Sequence, residues 1–158
     1  MRWIERTIEL PLPPEQAFPL AVEPGTLADW LVQVREIRPR GFLAFRPRVR
    51  HGGLRLDLDV EVLRVDVPHE VEASARWRTV EALLHVRMDD HRDGTRMTFR
   101  IGLDLPPAMR AGRGVVTAEL GRLLAADLRR LRRLATEQAG RLPTASDAEH
   151  ADPGVGEP

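Results

Sequence analysis

The 158-residue sequence has no cysteine, which removes disulfides, thiolate nucleophiles and cysteine metal sites from consideration. Lysine and tyrosine are absent as well, so there is neither an amine for a Schiff base nor a phenolic acid. All 24 basic residues are therefore arginine, which reads as codon bias in a bacterial, GC-rich genome. Aromatic residues make up only 4% of the chain and leave few platforms for stacking the bases of a single strand. The formal charge is zero. From Gly140 onward Arg141 stands against Asp147, Glu149, Asp152 and Glu157, so a weakly acidic end balances a weakly basic body. That imbalance is too small for a nucleic-acid footprint, and no nucleic-acid partner is expected. No apolar run approaches the roughly 18 residues that cross a bilayer, and Met1-Arg2-Trp3-Ile4-Glu5-Arg6 lacks the apolar centre of a signal peptide. The expectation is a cytoplasmic protein without a transmembrane segment.

What is present suits one globular domain. Hydrophobic residues at 42% and charged residues at 30% are ordinary values for a packed chain. Residues 2–11 alternate Ile4, Arg6, Ile8 and Leu10 against Trp3, Glu5, Thr7 and Glu9, the period of two of a half-buried strand. Pro13-Pro14-Glu15-Gln16-Ala17-Phe18 then reads as a helix start, because the first turn tolerates proline and favours an acidic side chain. Pro19 and Pro24-Gly25 are expected to keep it short. A second short helix is expected over 26–31, with Thr26 as its cap and Trp30 near its end.

From Val32 to Leu105 six strands fit, with breaks at Pro39-Arg40-Gly41, His51-Gly52-Gly53, Pro68-His69, near Thr79 to Glu81, and at Asp93-Gly94. The last is the strongest hairpin signal, since aspartate and glycine readily supply the positive φ that a two-residue turn needs. Leu54, Leu56, Leu58, Val60 and Val62 alternate with Arg55, Asp57, Asp59 and Glu61, so one face of this sheet is wet and the other needs a cover. Val116, Leu120, Leu123, Leu124, Leu128, Leu131 and Leu134 supply it as one amphipathic helix that Gly140 should stop. The fold class is thus α+β: a curved antiparallel sheet of about seven strands, two short helices after the first strand, and one long C-terminal helix. Residues 1–139 form the domain, and 140–158, small, acidic and aperiodic, are expected to be a disordered tail.

Several segments carry a family likeness. Ile4-Glu5-Arg6-Thr7-Ile8 with the following Leu12-Pro13-Pro14-Glu15-Gln16-Ala17-Phe18, then Trp30, Asp93-Gly94-Thr95-Arg96-Met97-Thr98, and the helical Leu123-Leu124-Ala125-Ala126-Asp127-Leu128-Arg129-Arg130-Leu131 resemble the SRPBCC superfamily. Its START-like helix-grip fold includes polyketide cyclase/dehydrase-like proteins. The resemblance covers about the first 138 residues and brings no catalytic signature. It implies a cavity between helix and sheet for a small hydrophobic molecule such as a lipid, quinone or polyketide, and no cofactor. Fold alone does not settle function within such a group.

The site residues follow from these faces. Trp30, Trp77, Met88, Met97, Phe99, Leu120 and Leu124 are apolar side chains expected on inward faces, and the resemblance makes them candidate cavity walls. Asp127 falls on the apolar arc of the long helix, between Leu120, Leu123, Leu131 and Leu134. A carboxylate there needs a partner or a raised pKa, which makes it a candidate ligand anchor or catalytic acid–base group, with an ion pair to Arg130 as the structural alternative. His51, His69 and His91 fall at turns, His150 in the tail and His85 on the outer face, in no metal-ligand spacing, so no metal is expected. Arg55, Asp57, Asp59 and Glu61 read as a solvated charge ladder facing Arg46, Arg48, Arg76 and Arg78.

Three functions fit this reading. The first is binding of a small hydrophobic ligand. The second is a cyclase/aromatase or dehydratase in which the pocket folds a reactive chain. The third is a partner-binding protein of the chaperone-activator or toxin-like branches, presenting Arg129, Arg132 and Arg133. Oligomeric state is not encoded in any pattern above.

Overall fold

The computed structural model describes residues 1–39, 43–51 and 53–141. The expected acidic tail from 142 onward, and the breaks expected at Arg40-Gly41 and Gly52, lie outside the described residues. The chain runs β1 (Arg2–Leu10), α1 (Pro14–Val22), α2 (Pro24–Trp30), β2 (Val34–Pro39), β3 (Ala44–His51), β4 (Leu54–Asp57), β5 (Asp59–Asp66), β6 (Glu70–Trp77), β7 (Val80–His91) and β8 (Gly94–Asp104). A short 3-10 turn, Pro107–Gly112, leads into α3 (Arg113–Arg141). The strands form one curved antiparallel sheet in the order β1-β8-β7-β6-β5-β3-β2, with β4 also paired to β3.

β4 and β5 are one strand interrupted at Leu58, which reconciles eight strands with the expected seven. Pairing continues in the same register across the gap, from Arg48↔Asp57 to Phe45↔Val60. The interruption lies opposite Pro47. Leu58 N–H donates to the Pro47 carbonyl at 3.1 Å, but proline has no N–H to return the bond.

The inner face is apolar, as the alternation required. Ile4, Leu10, Val86, Met88, Met97 and Leu103 meet Leu124, Leu128, Leu131 and Ala135 of α3, with Ala17, Phe18 and Ala21 of α1 and Trp30 of α2 closing the edge. Fully burying each large side chain is worth roughly 1.5–3 kcal/mol, so this cluster is the main source of stability. It lies under the β1–β8–β7 half of the sheet, where α3 packs on β1 and α1 on β7 and β8. Val60, Ala73 and Ala75 form a second, smaller cluster in the other half.

Several local expectations need correction. α1 is short, as expected, at nine residues, but Pro19 lies inside it and the helix continues to Val22 because Ala17, Phe18 and Ala21 anchor its turns in the core. Thr26 does not cap α2: the helix begins at Pro24 after an extended Glu23, and Thr26 Oγ1 donates to the carbonyls of Glu23 (3.0 Å) and Pro19 (3.1 Å). Gly140 does not stop α3, which is described through Arg141.

The β7–β8 turn consists of Arg92 and Asp93, with Arg92 at φ 54°, while Gly94 pairs with His91 as the first residue of β8. Glycine is needed at 94 for space, since a Cβ there would run into the Leu10 carbonyl oxygen. The β6–β7 turn likewise falls at Arg78 and Thr79, with Arg78 at φ 53°.

Candidate functional site

Because α3 covers only one half of the inner face, the other half opens into a cleft of about 510 Å³. That volume is within the roughly 300–1,000 Å³ of small-molecule sites. Phe18 and Val22 of α1 form one wall, and Glu23, Pro24 and Gly25 form the corner between α1 and α2. Ile37 of β2, Ala44 and Phe45 of β3, Val62 and Val65 of β5, and Val71 of β6 form the other, with Leu43 at the entrance to β3. Glu23, itself exposed, is the one ionisable side chain in this described lining.

Two backbone irregularities shape the wall. Register shifts between Val62 and Arg64, so that Val62 opposes Ala73 while Val65 opposes Val71. The bulge brings Val65 back to the face that Val62 occupies, as bulges next to sites commonly do. Leu43 sits in the left-handed region at φ 57°, fixed there by a 2.8 Å bond from Val62 N–H to its carbonyl. Leu43, Leu63, Val65 and Val67 are all exposed, giving this edge of the molecule an apolar surface.

The residues singled out from the sequence lie elsewhere. Trp30, Met88, Met97 and Leu124 are buried in the main cluster, and Phe99 and Leu120 pack against it. Trp30 and Phe99 meet edge to face at 6.4 Å. Trp77 is separate from them, at the end of β6 with the Arg78 guanidinium 5.1 Å from its ring centre. None of these side chains, nor Asp127, is in the cleft lining. Phe18 and Val71 link the two regions, since both line the cleft and contact the main cluster. The Trp30 Nε1–H is buried without an acceptor among the described residues, although buried tryptophan N–H groups usually have one.

Asp127 is half-buried on α3, and its Oδ1 accepts a 3.3 Å hydrogen bond from Val32 N–H just after α2. Arg130 donates to the Asp29 carbonyl at 3.4 Å, so the two side chains tie the α2–β2 corner to α3. Burial raises the Asp127 pKa above the ordinary aspartate value, while the Val32 hydrogen bond and the Arg130 charge act in the opposite direction.

On the outer face the expected charge ladder forms in part: Asp57 and Asp59 meet arginines of β3, whereas Arg55 is opposite Arg50, Arg76 pairs with Glu81 and Arg78 is beside Trp77. Arg46 meets Asp59 at 3.0 Å, Arg48 meets Asp57 at 3.2 Å and Arg76 meets Glu81 at 3.1 Å. Glu70, Glu72 and His85 form the one described group with metal-ligand spacing, their donor atoms lying within 4.8 Å of one another. Two carboxylates and an imidazole could hold a divalent ion. Here His85 Nε2 is already 2.7 Å from Glu70 Oε1 and Arg64 is 3.7 Å from Glu70 Oε2. The His85 hydrogen bond, helped by the Arg64 charge, holds the Glu70 carboxyl below its ordinary range. The group is thus balanced by its neighbours.

A curved sheet gripping one long helix, with an apolar opening beside the helix, defines the helix-grip class of hydrophobic-cavity proteins. A family model described as polyketide cyclase/dehydrase and lipid transport matches residues 1–136, and the chain belongs to this SRPBCC-type family. No curated protein sequence is significantly similar to it. Among solved structures, a conserved protein from Geobacillus kaustophilus superposes with a TM-score of 0.73 at 12% identity, covering 87% of this chain and 97% of its own. A Thermus thermophilus protein gives 0.70 at 16% identity, with 87% and 99% covered. DynU16, a protein in the dynemicin biosynthetic locus, gives 0.62 at 17% identity, covering 86% of this chain and 48% of its own. At such identities the likeness is one of fold.

Proposed function

We propose that the protein is a cytoplasmic binding module for one small apolar molecule (a lipid, quinone or polyketide-like compound) held in the cleft between the α1–α2 corner and strands β2, β3, β5 and β6. The observation that carries this reading is a ligand-sized opening whose described lining offers a single charged side chain, Glu23. Removing apolar ligand surface from water would supply most of the affinity. The family's scope, cyclisation, dehydration and lipid transport, favours the same ligand classes.

In this reading Met88, Met97, Phe99, Leu120 and Leu124 back the inner wall through Phe18 and Val71, and Asp127 positions the α2–β2 corner. Trp30 is buried in the main cluster, and its Nε1–H, without an acceptor among the described residues, is a donor that a ligand oxygen entering that cluster would meet. Trp77 lies too far out along β6 for such a contact and reports binding only indirectly. The cyclase or dehydratase alternative would have to work by positioning, because the proton-transfer candidate Asp127 is turned to Val32.

A tryptophan-fluorescence titration with a fatty acid, a quinone and an aromatic polyketide tests the proposal. Saturable binding of at least one class is expected, abolished by Phe45→Arg and by Val62→Asp in folded protein. No saturable response to any class would end it.

A further inference from the structure

On the outer face a like-charged cross-strand pair such as Arg38 and Arg46 has a carboxylate beside each member, Glu36 and Asp59. Arg46, Arg48, Arg76 and Arg100 each meet a carboxylate within about 3.2 Å, at Asp59, Asp57, Glu81 and Glu5. At the β3–β4 hairpin the pattern reverses: Arg50 is directly opposite Arg55 in the antiparallel register. Like charges in directly opposed positions destabilise a strand pair. The β2 bulge between Val34 and Glu36 adds Arg35 to the same place.

These arginines line a hollow of about 400 Å³ together with Glu36 and Arg48. The one carboxylate among its described lining residues is already engaged, since Glu36 meets Arg38 at 3.0 Å and Arg48 at 3.4 Å, and Arg48 also meets Asp57 at 3.2 Å. Arg35, Arg50 and Arg55 have no carboxylate partner among the described residues. Three guanidinium groups thus converge on a concave surface without a counter-charge, although the neighbouring positions of the same strands are all paired.

We infer that this hollow binds a phosphate group. Guanidinium forks match phosphate oxygens in two-point hydrogen bonds, and a doubly charged tetrahedral anion would relieve the Arg50–Arg55 repulsion. The site is on the face of the sheet opposite the apolar cleft and does not depend on what the cleft holds. The phosphate could belong to a free phosphomonoester or to a lipid headgroup, two sources of one chemistry.

Calorimetric titration with inorganic phosphate and glycerol phosphate, and flotation with phosphatidic acid vesicles against phosphatidylcholine vesicles, separate the two. Binding in either arm should be saturable and fall about tenfold or more in R50Q/R55Q, while R132Q/R133Q on α3 binds as the parent does. R55E, which places a carboxylate opposite Arg50, should lose binding and melt no lower than the parent in anion-free buffer. Absence of saturable binding in both arms, an equal loss in R132Q/R133Q, or a lowered melting temperature for R55E would overturn the inference.

Discussion

The pKa of Asp127 is raised above 3.8, chiefly by burial, so the folded state holds its proton more tightly than the unfolded chain does. Its contribution to stability is therefore fully present below the unfolded value and is lost as pH rises through the raised folded value. Asp127→Asn keeps an oxygen for Val32 N–H and does not titrate. Its stability relative to the parent should increase as pH rises through that window, measured by urea unfolding at about pH 3.5 and about pH 7. A relative stability that falls over this interval would show that the carboxylate is not under a burial penalty. The sequence placed Asp127 on the apolar arc of the helix, which is correct as far as helical periodicity goes. It could not show which backbone amide meets the side chain, because Val32 is 95 positions away and arrives there through the α2–β2 corner.

Elements were legible in proportion to how local their causes are. The leucine stripe of α3 and the alternation of β1, β4 and β5 follow from side-chain period alone, so their faces could be read directly. Turn positions could not: Arg92 rather than Gly94 adopts positive φ where composition pointed to Asp93-Gly94, and the β6–β7 turn falls at Arg78 and Thr79 rather than over 79–81, because the pairing of whole strands outweighs the preference of a single residue. Pro19 remained within α1 for a comparable reason, since the core contacts around it outweigh one missing hydrogen bond.

Three substitutions test these attributions by thermal or urea unfolding. Leu131→Ala, at a fully buried position on α3, should cost about 2–5 kcal/mol, and a loss under about 1 kcal/mol would mean that the helix is not seated as described. At Gly121 an added Cβ would lie 2.7 Å from the movable guanidinium tip of Arg6. Gly121→Ala should therefore be neutral or stabilising by up to about 1 kcal/mol, the helical cost of glycine. Gly94→Ala should destabilise clearly, since its obstacle is the Leu10 backbone. If Gly94→Ala proved harmless, the close approach of the β8 start to the end of β1 would be wrong.

At the scale of the whole molecule the deciding feature is where the helix stops covering the sheet. The inward-facing residues of the β1–β8–β7 half are sealed beneath α3, whereas Ile37, Phe45, Val62 and Val71 face an opening. Local sequence could identify both sets as apolar but could not divide them. Burial under a helix and exposure to a cleft leave the same alternation, and the bulge that returns Val65 to the inner face has no signature in composition. The central claim is that this uncovered half is where an apolar ligand resides. Methyl-resolved NMR of the protein with a saturating ligand from the titration panel tests it most directly. The account predicts that the largest shifts fall on Val22, Ile37, Val62 and Val71, while Leu128 and Leu131 under the helix stay nearly still. Shifts centred on Leu128 and Leu131, with the cleft methyls unmoved, would contradict it.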